Sequence, residues 1–234
     1  IACILQRGEV DNVVKTILDM GASMPNIYYG VGTGFRDKIG LLRVTVPAEK
    51  EIVTVAVSED EREATMIALI KEGKLEEPGR GFIYDYYLGM GIVNTKLVYA
   101  KRRHAATMEQ VITAVDKLSG NSEWRKHSSI ATGAGNIKML SDLMCVDIYS
   151  NEGTGDELVA IAMNAGSSGA TIGKAKVNRD VSTESIFPAQ EISTMIVGKQ
   201  NLEAIIAAVT TDPAHKESFK VIELKGVPQA CTYL

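Results

Sequence analysis

The sequence predicts an α+β protein in which one arrangement of strands and helices occurs twice. Residues 51–70 and 191–210 align without a gap and carry the same amino acid at seven positions. In each stretch, β-branched residues at alternating positions are typical of a strand, and they precede a polar turn and apolar residues at helical spacing. We therefore expect two similar modules within the 234 residues of the chain.

A second block of identities extends the repeat toward the N-terminus. Six residues of this block recur at a spacing of 145 positions: Gly8, Asp11, Val14, Gly21, Ser23 and Ile27 match Gly153, Asp156, Val159, Gly166, Ser168 and Ile172. The spacing in the first block is 140 positions, so the loop between the blocks must be five residues longer in the first module. Loops tolerate such differences, because the entropy of loop closure grows slowly with length.

Each module is expected to run strand, helix, strand, strand, helix, strand. In the first module we place these elements at 1–6, 10–20, 26–33, 50–57, 60–73 and 81–88. In the second we place them at 143–149, 155–165, 170–177, 191–197, 199–210 and 218–224. This order is that of the ferredoxin-like split motif, an antiparallel sheet with both helices on one face. Gly21 and Gly166 follow the first helix of each module, where a residue in the left-handed conformation commonly ends a helix.

Three segments are expected along the chain. A module at 1–100 and a module at 141–234 are joined by a linker at 101–140. The linker carries apolar residues at the spacing of an amphipathic helix, namely Met108, Val111, Ile112, Val115 and Leu118. Both faces of the strand IVTVAV in the first module are apolar, which favours self-association through the sheets.

The composition is that of an ordinary globular protein, with 45% hydrophobic and 23% charged residues. A net charge of −4 argues against a general nucleic-acid-binding protein, which usually carries a basic surface. No apolar run approaches the roughly 20 residues that cross a bilayer, so membrane insertion is not expected. The three scattered cysteines favour a reducing compartment, and we expect a cytoplasmic protein. The chain begins without Met, so we expect a few N-terminal residues to be missing.

No group of residues in the sequence indicates a catalytic or metal site. The three histidines share no spacing with one another or with the cysteines, whereas metal ligands usually recur at short fixed spacings. No arrangement of Ser, His and Asp, or of Cys and His, is suggested by spacing, and no paired carboxylates stand out. We therefore predict no catalytic residue, no metal and no enzymatic activity.

One candidate anion site lies between the second helix and the last strand of the first module. The segment EGKLEEPGRGFIYDY there contains Gly73, Lys74, Gly79, Arg80 and Gly81. Glycines let backbone N–H groups approach an anion, and Lys and Arg supply charge and hydrogen-bond donors. The alternative is a helix C-cap at Gly73 and an ordinary turn at Pro78. The matching segment of the second module, TTDPAHKESFKVIEL, has no glycine, and only Lys216 is a clear cation.

Two further basic segments are candidates for contact with a ligand or a partner. The loop 34–48 carries Arg36 and Lys38 beside apolar residues, although a solvated hairpin is an equal alternative. The run KRRH, which includes Arg102 and Arg103, follows the first module. Such a run is usually a solvated helix start, but a nearby anion would also explain it. The motif GVGTGF follows a strand without opening a helix, so it does not meet the requirements of a dinucleotide-binding fingerprint.

The sequence resembles the PII nitrogen-regulatory signalling proteins and their PII-like relatives. The similarity rests on the order of elements, on the junction GSSGATIGKAKV, on the strand beginnings VPAEKEIVTVAV and FPAQEISTMIV, and on the segment GK…GRGFIY. The resemblance implies a homotrimer whose clefts bind an adenine nucleotide such as ATP, ADP or AMP. It also implies that the loop at 73–81 contacts the phosphates, and that the loop at 34–48 engages a protein partner, for example a transporter or an enzyme.

The sequence departs from the family pattern in the candidate loop. The family loop usually runs Gly-Lys-x-Gly-Asp-Gly-Lys, whereas this chain inserts Glu-Glu-Pro at 76–78 and has Arg80 where lysine is expected. The threonine that lies near the adenine site of the family matches Thr171 in the second module, and Asn26 takes its place in the first. We expect ligand binding to depend on the first module, since the matching loop of the second adds the negative charge of Asp212 and Glu217.

The function expected from these observations is that of a non-enzymatic signalling protein in nitrogen regulation. It would sense a small anionic ligand, an adenine nucleotide in the first instance, and pass that state to a protein partner. Two alternatives stay open. The first is an enzyme or carrier for a phosphorylated or carboxylated metabolite, and the second is a structural trimer without a ligand.

Overall fold

The structure, a computed structural model, describes residues 1–34, 49–92, 108–120, 137–176 and 189–232. The chain divides into two compact units. Unit 1 comprises Ile1–Tyr28, Glu51–Leu140 and Ala230–Leu234, and unit 2 comprises Tyr29–Lys50 and Ser141–Gln229. Residues 29–50 thus belong to unit 2 although they come early in the chain, and the C-terminal residues belong to unit 1.

The described residues form nine strands and five helices, which confirms the predicted α+β class. The first elements in chain order are β1 (Ala2–Gln6), α1 (Val10–Asp19), β2 (Asn26–Gly34), β3 (Glu49–Thr54), α2 (Glu59–Glu72), β4 (Gly81–Tyr84) and α3 (Met108–Ser119). They are followed by β5 (Leu143–Asn151), α4 (Gly155–Asn164), β6 (Gly169–Lys176), β7 (Ala189–Gly198), α5 (Lys199–Thr211), β8 (Phe219–Val227) and β9 (Ala230–Thr232). Apart from α3 and β9, the order strand, helix, strand, strand, helix, strand occurs twice.

The structure differs from the predicted elements at the last strand of the first module and at the C-terminus. β4 ends at Tyr84, whereas the predicted strand extended to residue 88, and the side chains of Tyr87 and Leu88 are exposed. The short strand β9 was not predicted, because three residues are too few to show an alternating pattern. The helix predicted in the linker is present as α3.

The apolar residues of unit 1 gather on one side of its strands. The strand order in this unit is β3-β1-β4-β9, and β4 pairs antiparallel with both β1 and β9. Ile83 lies opposite Cys3 on one side and Cys231 on the other. These residues share a core with apolar residues of α1, β3 and α2: Val10, Val13, Ile17, Val53, Met66, Leu69 and Ile70. Both helices therefore cover the same face of these strands.

Unit 2 is built in the same manner. Its strand order is β8-β5-β7-β6-β2, and each neighbouring pair is antiparallel. Ile148 in β5 lies opposite Ser193 of β7 and Ile222 of β8. The core of the unit combines residues of β5, α4, β7 and α5: Val146, Ile148, Leu158, Val159, Ala162, Met195, Val197, Ile205 and Val209. α4 and α5 therefore lie on one face of the strands.

The first helix of each unit ends in the same way. Gly21, after α1, has a φ of 76°, and its N–H donates to the carbonyl of Leu18 at 3.1 Å. Gly166, after α4, has a φ of 113°, and its N–H donates to the carbonyl of Met163 at 3.2 Å. In both cases the next residue donates to the carbonyl five positions earlier, at 3.2 and 3.0 Å. These paired bonds form a Schellman motif, and the prediction that Gly21 and Gly166 end these helices is confirmed.

Two glutamates that match in the repeat also match in their contacts. In unit 1, the Gly8 N–H donates to Glu51 Oε2 at 2.9 Å. In unit 2, the Gly155 N–H donates to Glu191 Oε2 at 2.8 Å. N–H groups at the start of a helix have no partner within the helix, and a carboxylate satisfies one of them. Glu51 and Glu191 therefore have the same structural role, since each carboxylate ties the chain at the beginning of the first helix to a neighbouring strand.

Candidate functional site

The candidate loop of unit 1 begins where α2 ends. Gly73 caps the helix with a φ of −75°, and Lys74 takes the left-handed conformation with a φ of 50°. A Cβ on Gly73 would lie 3.1 Å from the carbonyl oxygen of Leu69 and 3.3 Å from Leu5 Cδ2, so close packing accounts for this glycine. The helix C-cap at Gly73, which the sequence allowed as an alternative to an anion site, is therefore present.

The other two glycines of the loop are also explained by the backbone. Gly79 has a φ of 77°, and its carbonyl accepts an N–H from the side chain of Gln6 at 2.8 Å. Gly81 has a φ of 154°, and a Cβ there would lie only 2.1 Å from the carbonyl oxygen of Ile4. The backbone thus requires glycine at these positions, because L-residues with a side chain rarely adopt such conformations. This requirement holds with or without a bound anion.

The guanidinium of Arg80 is held by two carboxylates. Its Nε lies 3.1 Å from Glu77 Oε2, and its Nη1 lies 2.9 Å from Glu9 Oε1. The hydrogen bond that Arg80 donates to Glu77 and the negative charge of Glu9 raise the pKa of Arg80. The Arg80 side chain is 36% exposed, so solvent screens both pairs. Lys74, the second cation of the loop, is exposed. The assignment of Gly73, Lys74, Gly79, Arg80 and Gly81 to a ligand stays a prediction.

The matching loop of unit 2 holds a histidine between two carboxylates. His215 Nδ1 lies 2.9 Å from Asp212 Oδ1, and Nε2 lies 2.5 Å from Glu157 Oε2 in the first turn of α4. Both ring nitrogens face acceptors, and only the imidazolium has an N–H on each. The hydrogen bonds to Asp212 and Glu157 accordingly raise the pKa of His215. Lys216, the clear cation of this loop in the sequence, is exposed.

The remaining predicted site residues fall in different parts of the chain. Arg36, Lys38, Arg102 and Arg103 lie outside the described residues. Thr171 lies in β6, opposite Gly32 of β2 and Thr194 of β7, and is half-buried. It belongs to unit 2, whereas the loop at 73–81 belongs to unit 1.

The glycines of GVGTG lie in a strand. Gly30 is opposite Gly173, and Gly34 is opposite Gly169, in the antiparallel pair of β2 and β6. A Cβ on Gly169 would lie 2.6 Å from the carbonyl oxygen of Thr33. The glycines therefore permit a close approach of the two strands.

A polar cluster that the sequence pattern does not predict lies on the strands of unit 2. The buried side chain of Asp147 lies in β5, its Oδ2 is 2.5 Å from Lys225 Nζ, and its Oδ1 accepts the hydroxyl of Thr194 at 2.6 Å. Burial alone would lower the pKa of Lys225, but the hydrogen bond and charge of Asp147 outweigh burial and raise it. The repeat gave no signal for the cluster, because Ala2 is the residue that matches Asp147 in the first module.

The described part of the chain contains no group of three or more His, Cys, Asp or Glu side chains that could hold a metal ion. Its three cysteines are buried, and none of them forms a disulfide with another. Burial raises the pKa of the Cys3 thiol to about 12, so this thiol stays protonated at neutral pH and is a poor nucleophile. Among the described helices, none is both long enough and apolar enough to span a bilayer.

Comparison with known proteins does not assign the chain to a family. No family model matches it, and no curated protein matches it. Among solved structures, one from Fusobacterium nucleatum described as a "putative monooxygenase" is similar with 9% sequence identity and a TM-score of 0.23, over 99% of this chain and 92% of that chain. A TM-score this low does not show a common fold, so the similarity bears on neither fold nor function.

Proposed function

We propose that the chain is a non-enzymatic regulatory protein of PII type, which binds an adenine nucleotide and acts on a protein partner. The observation that carries the proposal is the strand order. In unit 2 the strands of the second module lie in the order β8-β5-β7-β6, with α4 and α5 on one face. The first strand of the module thus lies between the third and the last, as expected for a ferredoxin-like split motif.

The first module supports the same interpretation. In unit 1, β1 lies between β3 and β4, as β5 lies between β7 and β8 in unit 2. α1 and α2 pack on one face of these strands. Matching neighbours in both units favour a tandem pair of ferredoxin-like modules. The three buried cysteines, which form no disulfide with one another, are consistent with the cytoplasmic location that belongs to this proposal.

The loop at 73–81 is the proposed anion site because it carries two cations, whereas the matching loop of unit 2 carries Lys216 beside the acidic residues Asp212 and Glu217. Lys74 is exposed, and Arg80 lies at the end of the same loop with a third of its side chain in solvent. In unit 2, the histidine of the loop faces Asp212 and Glu157 with both ring nitrogens. An anion would therefore meet Lys74 and Arg80 in unit 1, and in unit 2 Lys216 next to a histidine that two carboxylates already engage.

Calorimetric titration of the full chain with ATP, ADP and AMP tests this proposal. A charge-assisted hydrogen bond contributes roughly 1.5–3 kcal/mol, so we expect Arg80→Ala to weaken nucleotide binding about tenfold to a hundredfold. Lys216→Ala is the matched control, because it removes a cation from the corresponding loop of the other module. If both variants bind the nucleotide as tightly as the wild type, the loop at 73–81 is not the phosphate site. If Lys216→Ala loses more affinity than Arg80→Ala, the phosphate site is the matching loop of unit 2. Conversion of the nucleotide during the titration would favour an enzyme instead.

A further inference from the structure

Two of the five N–H donors of Arg80 are already occupied by acceptors of the kind a ligand would provide. A guanidinium presents five N–H donors in a planar fork, and this fork fits carboxylate and phosphate oxygens alike. In the structure, Glu77 takes the donor on Nε and Glu9 takes a donor on Nη1, at 3.1 and 2.9 Å. An anion that approaches Arg80 must therefore compete with two carboxylates of the same chain.

The backbone of the loop is also largely satisfied from within. Five of its N–H groups donate to carbonyls between residues 69 and 77 at distances of 2.9 to 3.4 Å, namely those of Gly73, Lys74, Leu75, Glu77 and Arg80. The loop as it stands is thus folded on itself and does not present a row of open N–H groups. Side-chain cations, and Arg80 in particular, are the donors that can be released without unfolding the end of α2.

The same arrangement recurs in unit 2 with different residues. Arg80 contacts a carboxylate three positions earlier, Glu77, and His215 contacts a carboxylate three positions earlier, Asp212. In each unit the second partner of the cation lies at the start of the first helix, as Glu9 before α1 or Glu157 in α4. Different residues in the two units thus produce one geometry, which indicates that the clamp around the cation is a built feature of the module.

We propose that Glu9 and Glu77 are internal competitors for Arg80, and that an anionic ligand binds to the loop by displacing them. This inference rests on the proposed function, since it requires the loop to bind an anion. Glu77 lies within the Glu-Glu-Pro segment at 76–78 that distinguishes this loop from the PII pattern. The inserted segment thereby supplies the carboxylate that lowers the affinity of the loop and keeps it closed without a ligand.

The experiment is a calorimetric titration of ATP into the full chain and into Glu77→Gln, Glu9→Gln and Glu76→Gln. Exposed ion pairs contribute little each, so we expect Glu77→Gln and Glu9→Gln to lower the Kd for ATP about two- to fivefold, and the double variant to combine both gains. Glu76→Gln is the matched control. It removes the same charge from the neighbouring position, and no contact within the described residues joins Glu76 to Arg80.

The Arg80→Ala background separates competition from a general change in charge. If the carboxylates act through Arg80, then Glu77→Gln gives no gain once Arg80 is absent. If Glu77→Gln still raises the affinity for ATP in the Arg80→Ala background, the inference is wrong. It is also wrong if Glu76→Gln raises that affinity by the same amount. Either result leaves the proposed nucleotide binding intact. Absence of ATP binding in every variant, including the double variant, overturns the proposed function and this inference together. Thermal melts confirm that each variant is folded.

Discussion

Gly81 lies against the backbone of β1, where no side chain fits. A Cβ would lie 2.1 Å from the carbonyl oxygen of Ile4, and the φ of 154° is one that L-residues rarely adopt. We expect Gly81→Ala to lower the free energy of unfolding by about 2–4 kcal/mol, because both the backbone strain and the clash must be relieved by moving β4 away from β1. Urea denaturation measures this difference.

Gly8 provides the control for this substitution. Its φ of 87° is also positive, but a Cβ there would meet nothing within 4 Å. Gly8→Ala should therefore lower the free energy of unfolding by only about 1 kcal/mol, because the strain of a positive φ is its one cost. If the two variants lost equal stability, the close approach at Gly81 would have no energetic consequence and the argument from packing would be wrong.

Two buried hydroxyls of unit 2 stand where unit 1 has apolar side chains. Ser150 and Ser193 match Leu5 and Val53 in the repeat, and all four are buried. Neither serine hydroxyl has a hydrogen-bond partner among the described residues. A buried hydroxyl without a partner costs about 1–3 kcal/mol. We expect Ser193→Ala to raise the free energy of unfolding by about 1 kcal/mol, as measured by urea denaturation.

The neighbouring residue Thr194 tests the same principle in the opposite direction. Its hydroxyl donates to Asp147 at 2.6 Å, so Thr194→Ala should lower the free energy of unfolding by about 1–2 kcal/mol. A loss of stability from Ser193→Ala of comparable size would contradict the prediction, and would show that the Ser193 hydroxyl is satisfied in solution.

At the scale of elements, the contact of His215 with Glu157 joins the loop after α5 to the first turn of α4. Hydrogen bonds to Asp212 and Glu157 raise the pKa of His215 above its usual 6.5. A group with a raised folded-state pKa contributes its full stabilisation below the unfolded pKa, and this contribution is lost as the pH rises through the folded pKa. We expect His215→Gln to be less stable than the wild type at about pH 5.5, with a smaller difference at about pH 8.5.

Thermal or urea unfolding at both pH values measures this effect, and Lys216→Gln serves as the control. Lys216 is the exposed neighbour of His215, so its variant controls for a general change of charge in this loop and should show the same difference at both pH values. A destabilisation by His215→Gln that stays constant, or that grows with pH, would contradict the role of the imidazolium.

The sequence predicted those helices and strands whose residue pattern depends only on residues close to one another in the chain. The alternation in β3 and the helical spacing in α2 depend only on neighbouring residues, and both elements were found. The contacts of Arg80 with Glu9 and of Lys225 with Asp147 join residues 71 and 78 positions apart. Such pairs depend on strand register and on the packing of elements, which the residue pattern of one chain does not specify.

At the scale of the whole molecule, we propose a homotrimer that forms through the strands. Apolar residues of β2 are exposed in succession: Ile27, Tyr28, Tyr29 and Val31 expose 44%, 48%, 64% and 47% of their surface. A contiguous group of exposed apolar residues favours self-association. Sedimentation velocity at micromolar concentration should give three times the mass of one chain, and Val31→Lys should shift the equilibrium toward the monomer.

Leu118→Lys is the control for this prediction, because Leu118 is 88% exposed on α3 and lies far along the sequence from β2. This variant should leave the mass unchanged if the strands form the interface. A stable monomer of the unmodified chain would contradict the trimer, and an equal shift by both variants would show that the association is not specific to β2.

The strand β9 also sets an order of events during translation. The Thr232 hydroxyl donates to the Gly81 carbonyl at 2.9 Å, a contact that spans 151 positions, and Cys231 fills a place in the core of unit 1. A ribosome releases β1, β3 and β4 long before it reaches residue 232. Until then the free edge of β4 is open to pairing with other nascent chains, as unpaired strand edges are. We therefore expect the first module to expose this strand edge until β9 has been made.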